Sequence, residues 1–154
     1  MVSIAEKNIS EFWYKEENEV LVGASCEKIA LTESRLGVKL PQELKMIYKE
    51  SNGGCPFLVL RNSSASIQNL LPCFGAMDAL ELSSYTKTGG YDYQEAGIPE
   101  NLVILGSHGH DYFALDYRKS KINPKVVYAH EGEDPIVVAN TFFEFLSMLY
   151  NEYD

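Results

Sequence analysis

Apolar residues recur at helical spacing through the first third of this 154-residue chain and at strand spacing through the last. Residues 4–18 predict an amphipathic helix with Ile4, Ile9, Phe12 and Trp13 on one side. Val20, Leu21, Val22 and Gly23 make a short connection. Ser25 is the expected N-cap of a second helix, with Glu27 in its first turn, Ile29 and Leu36 facing inward, and its end at Gly37. A third helix is predicted over 40–51. Pro41 suits its first turn, where the missing N–H has no helical partner to lose, and Glu43 opposes the positive end of the helix dipole. Leu44, Ile47 and Tyr48 give one apolar stripe. Asn52, Gly53 and Gly54 tolerate positive φ and end the helix, and Pro56 prevents a restart.

Beyond Pro56 the period shortens. Residues 57–60 are a continuous apolar run, read as a buried strand, and 61–66 as a polar turn or loop. Residues 67–74 are ambiguous, with a second strand as one reading, and 78–85 fit a helix. Residues 86–100 lack periodicity, contain Gly89, Gly90, Gly97 and Pro99, and predict a surface loop. The remainder reads as a meander. Strands at 102–106, 112–117, 126–130 and 136–138 are separated by a turn at 107–110, a basic loop at 119–124 and an acidic turn at 131–135. In 112–117, Phe113, Leu115 and Tyr117 fall on one face and Tyr112, Ala114 and Asp116 on the other. Links this short favour antiparallel pairing. Asn140 is the expected cap of a closing helix to residue 150, in which Phe142, Phe143, Phe145, Leu146 and Leu149 are dense enough to cover a sheet face.

The length fits one domain over 1–154 with a real core. The formal charge of −9 argues against direct binding of nucleic acid or an anionic membrane and permits steering toward a basic protein. Ten tyrosines, seven phenylalanines and one tryptophan suit a core rim or a contact surface. Three cysteines, an odd number with no C-x-x-C, predict free thiols in a reducing cytoplasm. No secretory signal or membrane span is expected: residues 1–19 are charged every few positions, and no apolar run approaches the length of a span.

The best local candidate for chemistry is His108, Gly109, His110 and Asp111. Two histidines and a carboxylate in four residues suit a metal, but further ligands do not follow, and a polar hairpin turn explains the same residues. His130 is the third histidine, on another strand. No nucleophile elbow is present, Cys55 follows a helix C-terminus rather than preceding an N-terminus, and the glycine pairs are not phosphate loops. The expectation is therefore no catalytic residue, no metal and no cofactor. A metal-dependent hydrolase using His108, His110 and Asp111 is the weaker alternative.

Four separated pieces of the chain together resemble the SUKH superfamily, the Smi/Knr-like proteins. GASCEKIALTESRLGVKLPQELKMIYKESNGG at 23–54 carries an acidic residue on a helix (Glu33), then L-G (Gly37), L-P (Leu40 and Pro41), an aromatic helix, and N-G-G (Asn52, Gly53 and Gly54). Leu71 and Pro72 form the second piece, IPENLVILGSHGHDYFALDYR at 98–118 the third, and PKVVYAHEGEDPIVVANTFFEFLSML at 124–149 the fourth. The turn at 107–111 departs from the glycine-rich pattern of the family. The resemblance implies an α+β fold, with a mainly antiparallel sheet of about five or six strands packed by N-terminal helices and a C-terminal helix. It implies a non-enzymatic domain that binds and neutralises a cognate polymorphic toxin, basic and of the nuclease type. A regulatory or scaffolding module of the Smi/Knr type, in cell-wall control or signalling, is the alternative. A monomer or weak homodimer is expected. Tyr91, Asp92, Tyr93 and Glu95, with His108, His110 and Asp111, are the candidate partner-binding residues, since the irregular loops are where partner choice would reside.

Overall fold

Strand spacing in the last third produces a four-stranded antiparallel sheet. The computed structural model describes residues 2–62, 64–86 and 89–153. The expected loops at 61–66 and 86–100 include Ser63, Lys87 and Thr88, which lie outside the described residues. Three helices come first: α1 (Ile4–Ser10), α2 (Cys26–Leu36) and α3 (Gln42–Glu50). A two-residue strand β1 (Val59–Leu60), a single 3-10 turn at Met77–Ala79 and a short helix α4 (Tyr93–Ala96) follow. The meander is β2 (Leu102–His108), β3 (Asp111–Asp116), β4 (Lys125–His130) and β5 (Ile136–Ala139), in that spatial order. Helix α5 (Phe142–Ser147) and strand β6 (Leu149–Tyr150) close the chain, with β6 antiparallel to β1. The fold is α+β, as expected.

Both faces of the sheet bury apolar residues. Phe113, Leu115 and Tyr117 join Val126, Tyr128, Val103 and Leu105 in the main core, against Leu44, Ile47 and Tyr48 of α3 and Phe142, Phe145 and Leu146 of α5. Tyr112 and Ala114, on the opposite face, join Leu102, Val127, Ala129, Tyr93 and Ile98 in a smaller cluster. The alternation along 112–117 therefore holds for its five apolar residues, Tyr112, Phe113, Ala114, Leu115 and Tyr117.

Several expected elements are shorter, because tertiary pairing takes their backbone. Helix α1 ends at Ser10 rather than residue 18. Phe12 and Trp13 are both buried, and the chain there pairs with the segment after Cys55 instead of continuing the helix. Trp13 bridges Pro56, and the Phe57 N–H donates to the Phe12 carbonyl at 2.7 Å. Pro41 is the N-cap of α3 rather than part of its first turn, with extended ψ of 141°. The strand at 57–60 is reduced to Val59 and Leu60, and 67–74 contributes bridges at Leu70 and Phe74 rather than a strand. No helix forms over 78–85 beyond the turn at Met77–Ala79. Leu82 bridges Val103, and the Ser83 N–H donates to the Leu102 carbonyl at 2.8 Å, so the segment runs along the sheet edge.

The loop at 86–100 contains α4, and its Tyr93 is buried. The turn at 107–110 is narrower than expected, since β2 continues through His108 and β3 starts at Asp111. Thr141, not Asn140, caps α5, accepting from the Glu144 N–H at 3.0 Å. Helix α5 stops at Ser147 because β6 pairs with β1, and Asn8 secures that end. Its amide donates to the carbonyls of Leu146 and Leu149 at 2.6 and 2.9 Å.

The cysteine expectation is overturned. Cys55 and Cys73 form a disulfide across Cα atoms 4.0 Å apart, and Cys26 is the free thiol. Gly54 and Phe74, next to them in sequence, form an antiparallel bridge that brings the two cysteines face to face. Spacing along the chain contains no trace of that bridge.

Candidate functional site

The outer face of β2 and β3 is only partly covered, which leaves a cleft of about 320 Å³. The sheet contributes Ile104, Ser107 and Tyr112. Tyr91, Tyr93 and Ile98 come from α4 and its flanks, and Ala79 and Glu81 from the edge segment. His110 and Glu131 lie at the rim. These two meet because Asp111 pairs with His130, which places the turns after β2 and after β4 at one end of the sheet. The Glu131 N–H donates to the His110 carbonyl at 2.9 Å.

Helix α4 is fixed at both ends. Asp92 caps it by accepting from the Glu95 N–H at 3.0 Å. Gly97 ends it at φ 73°, and the Gly132 N–H donates to the Gly97 carbonyl at 3.2 Å. A Cβ on Gly97 would lie 2.6 Å from the Gly132 Cα, so the helix docks closely on the acidic turn only because this residue is glycine.

The cleft residues are bonded to one another. The Tyr91 hydroxyl donates to Glu131 Oε1 at 2.5 Å, and His110 Nδ1 lies 2.7 Å from Glu131 Oε2. The Tyr93 hydroxyl donates to Glu81 Oε2 at 2.9 Å. The rings of Tyr91 and Tyr93 meet edge to face at 5.1 Å. The Tyr112 hydroxyl is buried with no hydrogen-bond partner among the described residues. The hydrogen bond from Tyr91, and then that from His110, holds the Glu131 carboxyl below its ordinary range. The same bond to Glu131, and then burial, pushes the Tyr91 phenol up to about 12. Burial pushes Tyr112 up to about 12. At neutral pH the cleft therefore presents neutral phenols beside an ionised carboxylate.

The candidate partner-binding residues divide between two places. Tyr91, Tyr93 and His110 line the cleft, with Asp92 and Glu95 serving at the start of α4. Asp111 belongs to the other side of the hairpin. There it accepts from the Tyr128 hydroxyl at 2.5 Å, lies 2.5 Å from His130 Nδ1, and accepts from the Gln68 amide at 3.3 Å. His108 is exposed at the end of β2. His108, His110 and Asp111 thus do not converge: His110 pairs with Glu131 and Asp111 with His130. Among the described residues, no group of three His, Cys, Asp or Glu side chains is arranged to hold a metal ion.

The motif residues of the first third hold the scaffold. Glu33 accepts from the Leu40 N–H at 2.7 Å and pairs with Lys45 at 3.2 Å, which locks the turn between α2 and α3. Gly37 is the left-handed C-cap of α2, and Leu40 and Pro41 lead into α3. Asn52 accepts from the Met77 N–H at 2.8 Å, Gly53 lies against the backbone of Gly75 and Ala76, and Gly54 bridges Phe74.

Sequence reasoning did not single out Glu81, Tyr112, Ile104 or Glu131 as site residues. The alternation along β3 does put Tyr112 on the face opposite Phe113, and Glu131 lies in the expected acidic turn. Nothing local distinguishes Glu81.

A partly covered antiparallel sheet with helices on its other face and an aromatic, acidic cleft define a small α+β domain. The SMI1 / KNR4 family (SUKH-1) model matches residues 23–148, and the chain belongs to that family, one of protein-interaction and immunity-type domains. No curated protein matches the chain significantly. Among the described residues, no helix is long and apolar enough to cross a membrane.

Proposed function

We propose that this domain is a non-catalytic immunity protein that binds and neutralises a cognate basic toxin, of the nuclease type. The observation that carries the reading is the cleft. It combines tyrosines, which give contact area at low entropic cost, with carboxylates in a chain of net charge −9. A nuclease is basic where it holds phosphates, so an acidic inhibitor complements that surface and is steered toward it. The Tyr91 and Tyr93 hydroxyls and His110 are tied to Glu131 and Glu81, an arrangement suited to recognition rather than proton transfer to a substrate. The domain acts as a monomer or weak homodimer in this reading, since each copy carries its own cleft.

The test is co-expression with a toxin domain encoded beside the gene. Survival of the cells and co-elution of the two proteins are the expected result. Killing that is indifferent to this protein, with no complex on size exclusion, would overturn the assignment for that pair.

A further inference from the structure

The cleft offers more than general acidity. Glu81 and Glu131 are its carboxylates, and among the described residues no Lys or Arg lines it; Arg118, whose charge reaches the Tyr112 hydroxyl, is paired with Asp116 at 2.9 Å. Tyr91 and Tyr93 form its aromatic wall, in contact edge to face, with Tyr91 exposed and Tyr93 buried behind it. Tyr112, 2% exposed, carries a hydroxyl with no hydrogen-bond partner among the described residues. A buried hydroxyl without a partner is costly, and any ligand that bonds to it recovers that cost. The volume of about 320 Å³ is at the small end for ligand sites, which suits one long side chain rather than a dinucleotide-sized cofactor.

We infer that this cleft is the receptor for a single arginine side chain presented by the protein partner. The inference rests on the immunity-type reading above for the source of that side chain, and on the cleft alone for its chemistry. A guanidinium is planar and weakly hydrated, stacks on tyrosine faces, and directs N–H donors along fixed lines. Glu131 meets its charge, the exposed ring of Tyr91 stacks on its plane, and the Tyr112 oxygen accepts one N–H while the phenol stays neutral. Tyr91 is 49% exposed and sits on the irregular approach to α4, so it is the wall that turns aside to admit the group to Tyr112. The Glu131 carboxylate disfavours an anion. A lysine ammonium would meet the charge but could not stack in the same way.

The probe is a blocked arginine, acetylated at the amine and amidated at the carboxyl, titrated into the full chain and followed by amide and aromatic NMR shifts. Its neutral isostere, blocked citrulline, and blocked lysine are the comparisons. Saturable shifts confined to Tyr91, Tyr93, Tyr112 and Glu131 are expected, absent with citrulline and several-fold weaker with lysine. Tyr112→Phe and Glu131→Gln should each weaken arginine binding five-fold or more, whereas Glu50→Gln, far from the cleft on α3, should not. Tyr112→Phe removes a hydroxyl that bonds to nothing described, so it keeps the fold. Shifts of equal size with citrulline, shifts scattered over the acidic surface, or binding indifferent to both cleft variants would overturn the inference. A toxin complex that survives those variants unchanged overturns the arginine site and leaves the immunity reading standing. Arginine binding in the cleft, with no toxin complex found, does the reverse.

Discussion

At the scale of single residues, the paired turns at the end of the sheet set two ionisation states. His130 is held above its ordinary value of about 6.5, first by its hydrogen bond to Asp111 and then by that charge. Asp111 is held below its ordinary range, first by the Tyr128 hydroxyl and then by His130. A histidine raised on folding contributes stability that is complete below about pH 6.5 and is lost as pH rises through its folded value. A carboxyl lowered on folding contributes above its unfolded value and loses that contribution as pH falls through its folded one. The pair therefore favours the fold over mildly acidic pH. His130 should titrate above 6.5 by NMR, and Asp111→Asn should return it to or below that value. An unchanged His130 titration in the variant would disprove the pairing.

At the scale of elements, the contacts that end helices matter as much as the helices. Seven-residue α1 is too short to be stable alone, so its place depends on what it grips. Asn8, 4% exposed, grips the end of α5 through two carbonyls more than 130 residues away, at separations of 138 and 141. Asn8→Ala removes both bonds and leaves buried carbonyls unpaired, with an expected loss of about 2 kcal/mol in urea unfolding. Asn8→Asp should cost more, because a carboxylate would then face two carbonyl oxygens. An alanine variant within a few tenths of a kcal/mol of the parent would show that the clasp carries no stability. The helices were legible from their stripes and caps: Ser25 does cap α2, and Leu44, Ile47 and Tyr48 are buried. Their lengths were not, because the ends of α1 and α5 are decided by strand-like pairing with segments more than 40 and 80 residues away, Trp13 with Pro56 and Leu149 with Leu60.

At the scale of the whole molecule, one covalent tie crosses the region where sequence gave least. The Cys55–Cys73 disulfide spans 18 residues and joins the end of α3 to the segment leading to Met77–Ala79. Closing a loop of that size lowers the entropy of the unfolded chain by an amount worth about 3 kcal/mol. Reduction should lower the unfolding free energy by about that amount, and thiol titration of the unreduced native protein should find Cys26 alone reactive. Three reactive thiols before reduction would refute the bond. Disulfides are rare in a reducing cytoplasm, so this bond bears on compartment as well as stability. Protein freshly taken from cells under thiol-blocking conditions should be compared with protein oxidised after isolation.

The sequence by itself determined the periods, the antiparallel order of the meander, the face on which each apolar residue of β3 lies, and the motif at 23–54 that marks the family. These are local properties: side-chain alternation and helix capping act within a few residues. Tertiary structure decided the rest. It paired Cys55 with Cys73, separated His110 from Asp111 onto different partners, and brought Glu81, Tyr112 and Glu131 into one cleft with Tyr91 and Tyr93. The physical reason is the same in each case. These groups are joined by sheet register and loop closure across 18 to 50 residues, and no period within one segment records which distant segment will lie beside it.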